Sequence, residues 1–376
     1  IQSASSGGEM VVRVNAAADT LQIATPILAN GASSLTKSGA GTLLITGANS
    51  YTGVTTINDG TLVNLASSTS TSGWALNGGT LGNANAVTNM GTGPITVNGN
   101  AFFTPVRTDG GNVLANYTFA NNLTVNSGAS VSLTNGNQFT SMVLNGVLDG
   151  SGTVIMNTGN GGAAGFLTLA NTANTFTGTL TVVDGVMQVS GSLADVVPVV
   201  LSGNARYEVL GSDTIGSLSG TVNTTVLLGT GFALRTGYND STTTMAGIIS
   251  GAGGLEKIGS GIFSLSNTNT YTGTTTITNG TLSLGTGSGG SLLGSLTSTI
   301  IDNSILMFNR SVAYAHDWAV TGTGSVTQAG NGVTTLSQTN TYGGNTLITG
   351  GTLRVTGLLP DTTGVTVEAN GTYEVR

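Results

Sequence analysis

Residues 251–284 read GAGGLEKIGSGIFSLSNTNTYTGTTTITNGTLSL. Short apolar runs alternate here with Gly, Asn, Thr and Ser, the pattern of short strands bounded by turn formers. The phrase has three parts: Asn269-Thr270-Tyr271-Thr272-Gly273, then Thr275-Thr276-Ile277, then Gly280-Thr281-Leu282. Three further copies occur. Copy one contains Leu35-Thr36-Lys37-Ser38-Gly39, Asn49-Ser50-Tyr51-Thr52-Gly53, Thr55-Thr56-Ile57 and Gly60-Thr61-Leu62. Copy two is reduced to Phe166-Leu167-Thr168-Leu169, Asn174-Thr175-Phe176-Thr177-Gly178 and Gly185-Val186-Met187. Copy four contains Gly332-Val333-Thr334-Thr335-Leu336, Asn340-Thr341-Tyr342-Gly343-Gly344 and Gly351-Thr352-Leu353. In every copy the aromatic (Tyr51, Phe176, Tyr271, Tyr342) stands nine residues before a glycine (Gly60, Gly185, Gly280, Gly351). Those glycines are 125, 95 and 71 residues apart, which excludes a rigid blade or a fixed-length helical repeat. The copies read as marked coils among unmarked ones, at about residues 34–63, 165–189, 251–284 and 322–355. A weaker echo links Gly191-Ser192-Leu193 and Tyr207-Glu208-Val209 with Gly357-Leu358-Leu359 and Tyr373-Glu374-Val375.

Composition favours one repeat array. Of 376 residues 60 are Gly and 5 are Pro, and only 7% are charged, against about 25% in an ordinary globular chain. Helical proteins need more charge than this on their exposed faces. Disorder needs low hydrophobicity and high charge, whereas 38% of this chain is hydrophobic. The net charge is −7 and the nine basic residues are scattered singly, so nucleic acid is not an expected partner. No apolar run approaches the roughly 18 residues of a membrane helix. Cysteine is absent, which excludes disulfides and thiolate chemistry. The first residue is Ile1, and the expectation is an excised or processed piece.

Strands are expected at 43–46, 55–57, 61–63, 123–125, 131–133, 182–183, 275–278 and 282–284. Asp59-Gly60, Asn145-Gly146 and Asn279-Gly280 could close hairpins. Recurrence of the motif far along the chain instead predicts stacked coils with equivalent positions above one another. The expected fold class is all-β, a right-handed parallel β-helix or β-solenoid. At about 20–25 residues per coil it has roughly 15–18 coils, and coils about 4.8 Å apart give a rod on the order of 70–90 Å. Residues 1–376 are expected to be a single continuous β-helix fragment of a longer chain. Apolar residues should stack inside, and Asn should form amide ladders at the turns. Pro26, Pro94, Pro105, Pro198 and Pro360 should mark corners or loops.

Leu255-Glu256-Lys257-Ile258-Gly259-Ser260-Gly261 with the phrase at 269–282 resembles the passenger-associated transport repeat of bacterial autotransporters, the type V secretion family. Gly237-Tyr238-Asn239-Asp240-Ser241-Thr242-Thr243 and Gly247-Ile248-Ile249-Ser250-Gly251 resemble the coil that precedes it. Departures are Ile262-Phe263 in place of Thr-Leu and Gly343 in place of Thr. The resemblance implies a Gram-negative passenger domain of the AIDA-like adhesin type, exposed at the cell surface or secreted. It implies a C-terminal β-barrel translocator, for which the sequence shows no run of amphipathic strands. Implied partners are a host-cell surface or matrix component or a glycan, with self-association between rods as a variant. No cofactor and no catalytic or metal site is implied.

The residues themselves offer little chemistry. His316, in Tyr314-Ala315-His316-Asp317-Trp318, is the one histidine and reads as a surface or loop residue. Asp317 cannot orient it, because neighbours on a strand face opposite ways. One His and no Cys make zinc remote. Asp59, Asp149 and Asp184 precede glycine as turn formers, while Asp240 and Asp302 could face a ligand. The repeat tyrosines are structural pegs at a corner or, alternatively, an exposed ladder for sugars. Two segments outside the coil grammar are candidate binding loops: residues 101–117, with Phe102, Phe103, Arg107 and Asp109, and residues 311–318, with Tyr314, His316 and Trp318. Three readings stand: an adhesive segment, a carbohydrate-active enzyme with converging carboxylates, and a spacer stalk.

Overall fold

The computed structural model describes residues 1–65, 72–84, 90–106, 116–134, 141–157, 166–287, 300–360 and 364–376. Among them there are strands and turns and no helix. The chain divides into two compact units, Ile1–Ala194 and Asp195–Arg376. Each is a right-handed parallel β-solenoid whose coils present three faces.

In unit one the first face stacks Ser34–Ser38, Thr55–Ile57, Trp74–Leu76, Ile95–Val97, Leu123–Val125 and Leu148–Gly150, all parallel. The second runs from Thr20–Ile23 through Thr42–Ile45, Thr61–Asn64, Gly79–Ala84, Asn100–Val106, Ser130–Leu133 and Thr153–Asn157 to Thr179–Asp184, eight strands in eight coils. The third includes Asn116–Phe119, Ser141–Leu144, Phe166–Leu169 and Val186–Val189. In unit two the second face has nine strands, from Pro198–Leu201 to Val365–Val367. Its first face carries Gly254–Lys257, Thr275–Ile277, Ile300–Asp302 and Val320–Thr321. Its third face carries Ile248–Gly251 and later Tyr314–His316, Val333–Leu336 and Gly351–Val355. Predicted strands fall on observed ones. Pro105 is a correction: it lies inside the strand Asn100–Val106 rather than at a corner.

Strand alternation sends every second side chain inward. Because register is kept from coil to coil, those side chains form columns. Leu62, Leu81, Phe103, Leu133, Met156 and Val182 occupy one column in consecutive coils of unit one, and all are buried. Each fully buried side chain of this kind contributes about 1.5–3 kcal/mol.

The repeat phrase builds the corners. Its aromatic points inward: Tyr51, Phe176, Tyr271 and Tyr342 are all buried. The three tyrosine hydroxyls hydrogen-bond Thr55, Thr275 and Thr346 four residues on, at 2.6, 2.7 and 2.6 Å. Copy two has Phe176 and, four residues on, buried Leu180, so both hydroxyls are missing together. That matched loss leaves nothing unsatisfied. The tyrosines are therefore core pegs and form no exposed sugar ladder. The asparagine two residues before each aromatic is also buried. Its Oδ1 accepts from a backbone N–H of the preceding coil: Ile27, Leu148, Ile249 and Val320, at 3.0, 2.8, 2.8 and 2.9 Å. The closing glycines Gly60, Gly185, Gly280 and Gly351 all have positive φ, which an L side chain rarely adopts.

Within each unit the two copies do not lie above one another, contrary to the sequence expectation. In unit one, copy one sets Tyr51 on the third face and Thr55–Ile57 on the first. Copy two sets Phe176 on the first face, its N–H donating to Leu148 O at 3.2 Å, and the equivalent strand Thr179–Asp184 on the second. In unit two, copy three lays Thr270 over Ile249 of the third face (2.8 Å). Copy four lays Thr341 over Val320 of the first (2.8 Å). Within each unit the phrase advances by one face. Cross-coil hydrogen bonds span 20–22 residues around these copies, so the 71 residues from Gly280 to Gly351 are three coils and one further face.

Tyr271→Phe alone strands the buried Thr275 hydroxyl and should cost about 1–2 kcal/mol. Adding Thr275→Val should recover most of that loss. Urea unfolding of the two single variants and the double variant checks this coupling.

Candidate functional site

The densest group of chemically distinctive side chains lies in unit two, after the second-face strand Ile305–Phe308. The chain turns at Arg310 and forms the third-face strand Tyr314–His316. Period-two alternation puts Tyr314 and His316 on the inner side and exposes Ala315. His316 is thus fully buried, which corrects the surface or loop placement. It stacks in register with Leu336. Phe308 and Trp318 meet its ring edge-on at 5.2 and 4.4 Å between centroids. Burial drives its pKa down to about 3, so it is neutral at physiological pH. Asp317 points away and accepts from Ser337 Oγ at 3.1 Å, as the alternation argument required. Arg310 stacks its guanidinium 4.3 Å from the Tyr314 ring centroid and is 1% exposed. Sequence reasoning missed Arg310; its signal was an arginine four residues before the aromatic cluster.

The other candidate loop is brought together less well. Phe102 is half exposed, while Phe103 points inward into the core. Arg107 and Asp109 lie outside the described residues. Of the two acids expected to face a ligand, Asp302 is turned into the core and Asp240 is exposed at a turn. Asp302 is fully buried on the first face, where desolvation raises its pKa to about 6. Asp240, with φ of 58°, accepts from Ser260 N and Oγ at 2.6 and 3.0 Å, and those bonds hold its carboxyl below the usual range. Asp59 and Asp184 accept from the N–H of the glycine that follows, at 2.7 and 2.9 Å, so they are turn formers. Among the described residues no three His, Cys, Asp or Glu side chains gather as metal ligands.

Two buried lysines plug repeat corners. Lys37 Nζ donates to Ser38 O, Gly39 O and Asp59 O at 3.0, 2.6 and 3.1 Å. Lys257 Nζ donates to Ile258 O, Gly259 O and Asn279 O at 2.5, 2.7 and 3.2 Å. Desolvation lowers the Lys257 pKa to about 8. In copy four Gln328 holds the same place and donates to Gly330 O at 2.7 Å.

Outside the core, unit one carries two polar columns side by side. Register places half-buried Thr56, Ala75, Thr96 and Thr124 in one column of the first face, below which Thr36 is buried. Two residues further on in each coil, Asn77 Nδ2 donates to Asn58 Oδ1, Asn98 to Asn77 and Asn126 to Asn98, at 2.8, 2.8 and 2.7 Å. The expected amide ladder is present. With the half-buried threonines beside it, the exposed asparagine ladder forms a Thr-x-Asn strip with coil spacing.

The passenger-associated-transport-repeat family model matches residues 35–63, 164–189, 255–284 and 326–355. The chain is also 30% identical over 289 residues to "Adhesin BmaC autotransporter" of Brucella suis biovar 1 (strain 1330). The chain belongs to the autotransporter passengers. The similarity covers 72% of this passenger segment but spans 8% of that relative's length. No solved structure matches the segment. A passenger of this kind is a cell-surface protein of a Gram-negative bacterium, anchored at the outer membrane or secreted. Its repeats coincide with the corners that carry the buried Asn, aromatic and Gly.

Two outcomes follow for the passenger. Lys257→Ala leaves three carbonyls without their donor and should cost about 1–3 kcal/mol in chemical unfolding, whereas Lys257→Gln should retain most of the stability. Unfolded His316 binds a proton below the ordinary histidine value of 6.5, while the folded form stays neutral down to about 3, so its contribution falls as pH drops below 6.5. Asp302 has the opposite sign: its folded pKa of about 6 stands above the ordinary aspartate value of 3.8, so its contribution is lost as pH rises through 6. Between about pH 4 and 6 the two slopes, each approaching about 1.4 kcal/mol per pH unit, offset one another. His316→Phe should therefore gain stability on acidification relative to wild type, and Asp302→Asn should lose it. Urea unfolding of both variants across this pH range reads the two slopes.

Proposed function

We propose that this segment is an adhesive part of its passenger and binds uncharged polar partners, foremost glycans, through the Thr-x-Asn strip of unit one. The strip carries the proposal: Thr56/Asn58, Thr96/Asn98 and Thr124/Asn126 present hydroxyls and amides in two registered columns on a stiff parallel sheet. Hydroxyls and amides both donate and accept, which suits sugar hydroxyls. The name of the relative from Brucella suis supports an adhesive role for the longer protein. Scarce charge, 7% of residues, favours many weak polar contacts over a few strong ionic ones. Host cells, a matrix component and neighbouring copies of the same passenger are candidate partners. A non-enzymatic role accords with the turn and core duties of Asp59, Asp184, Asp240 and Asp302.

A glycan and matrix-protein array with the purified segment tests the proposal. Binding should be saturable and nearly unchanged between about 0.05 and about 0.5 M salt, because no screened ion pair carries it. Thr96→Glu with Thr124→Glu should remove it while leaving the unfolding transition in place. Silence across the array, together with unaltered bacterial clumping and host-cell attachment by the double variant, would leave the spacer reading.

A further inference from the structure

We propose that the Arg310 corner of unit two is an oxyanion-binding site, in which the guanidinium holds a carboxylate, phosphate or sulfate group with help from the Tyr314 hydroxyl. Arg310 is 1% exposed, yet its Nε, Nη1 and Nη2 have no hydrogen-bond acceptor. A guanidinium stays charged in proteins and offers five N–H donors in a fixed fork. A buried charge is retained when it is paired and hydrogen-bonded. This chain satisfies that rule elsewhere: Lys37 and Lys257 each have three carbonyl partners. Among the described buried cations Arg310 alone has none.

The acids nearby in sequence do not supply the missing charge. Asp317 is turned outward to Ser337. Asp302 uses Oδ1 to accept from Ser304 N at 3.0 Å and forms no ion pair with Arg310. Tyr314 OH and both His316 nitrogens are buried and without partners as well. Three donor-bearing groups at one corner therefore lack acceptors, and an oxyanion supplies acceptors only. The guanidinium stacks on the Tyr314 ring, so its fork and that ring's hydroxyl can serve one bound group. The adjacent coils pack closely on Arg310 through glycines. Gly285 stands against Arg310, where a Cβ would come 3.0 Å from Arg310 Cγ, and a Cβ on Gly330 would run into the Arg310 backbone. A bidentate guanidinium contact with a planar carboxylate or a tetrahedral oxyanion fits the fork. This inference is independent of the Thr-x-Asn strip, which lies in unit one.

The test uses the whole 376-residue chain and millimolar sodium phosphate, sodium sulfate, sodium acetate and sodium glucuronate, with sodium chloride and glucose as controls. Calorimetry reads the heat, and the Arg310 Nε–H resonance reports on the fork. The expected result is saturable binding of at least one oxyanion at one site per chain, with a shifted and slowly exchanging Nε–H. Arg310→Gln should abolish both. Tyr314→Phe should weaken binding by up to about tenfold. Arg310→Lys keeps the charge without the fork, and weakened binding there guards against a misfolded glutamine variant. Binding of phosphate or sulfate alone assigns a free inorganic ion; binding of glucuronate as well assigns a carboxylate-bearing ligand such as an acidic sugar. No saturable heat and no resonance shift with any of the four salts would overturn the site.

Discussion

At each repeat corner an asparagine side chain stands in for a backbone carbonyl. A β-solenoid holds together because each coil's N–H groups find carbonyls on the next coil. A corner interrupts that exchange, and a buried amide left without an acceptor is costly. Asn49, Asn174, Asn269 and Asn340 fill that gap at Ile27, Leu148, Ile249 and Val320. The rest of the phrase follows from keeping that asparagine in place. The aromatic two residues on anchors the corner in the core, and the glycine nine residues after it supplies a conformation that other residues resist.

The same constraint explains why the copies differ as they do. Tyr with Thr and Phe with Leu are two solutions to one packing problem, because both leave the core without an unpaired hydroxyl. Lys and Gln alternate at the plug position because each can donate to carbonyls that the turn leaves facing inward. Since the corner forms on more than one face, the phrase can shift around the coil, from the third face to the first within each unit.

The fold was legible in the sequence because strand alternation and turn formers are local signals. Thr55–Ile57 and Leu123–Val125 emerge at the expected bounds, and the asparagine ladder of unit one was foreseen from its turn positions. The face on which each copy sits was not legible, because it depends on the summed lengths of all intervening coils. His316 was misplaced for a similar reason. Its polarity suggests a surface, but its parity on the strand, set only once the corner at Arg310 is known, turns it into the core. The burial of Arg310 and the Thr-x-Asn strip are visible only when residues about one coil apart are stacked. The passenger family was legible from the repeat, since the phrase itself is the corner; what the surface binds was not, because outward residues are unconstrained by the core.

The most direct measurement is residue-resolved hydrogen exchange at the backbone amides of Ile27, Leu148, Ile249 and Val320. If the asparagine side chains complete the ladder, these amides should exchange as slowly as strand amides such as Leu282, and Asn269→Ala should release Ile249 selectively. Exchange at Ile249 as fast as in exposed turns, or no change on Asn269→Ala, would contradict the account of how the coils are joined.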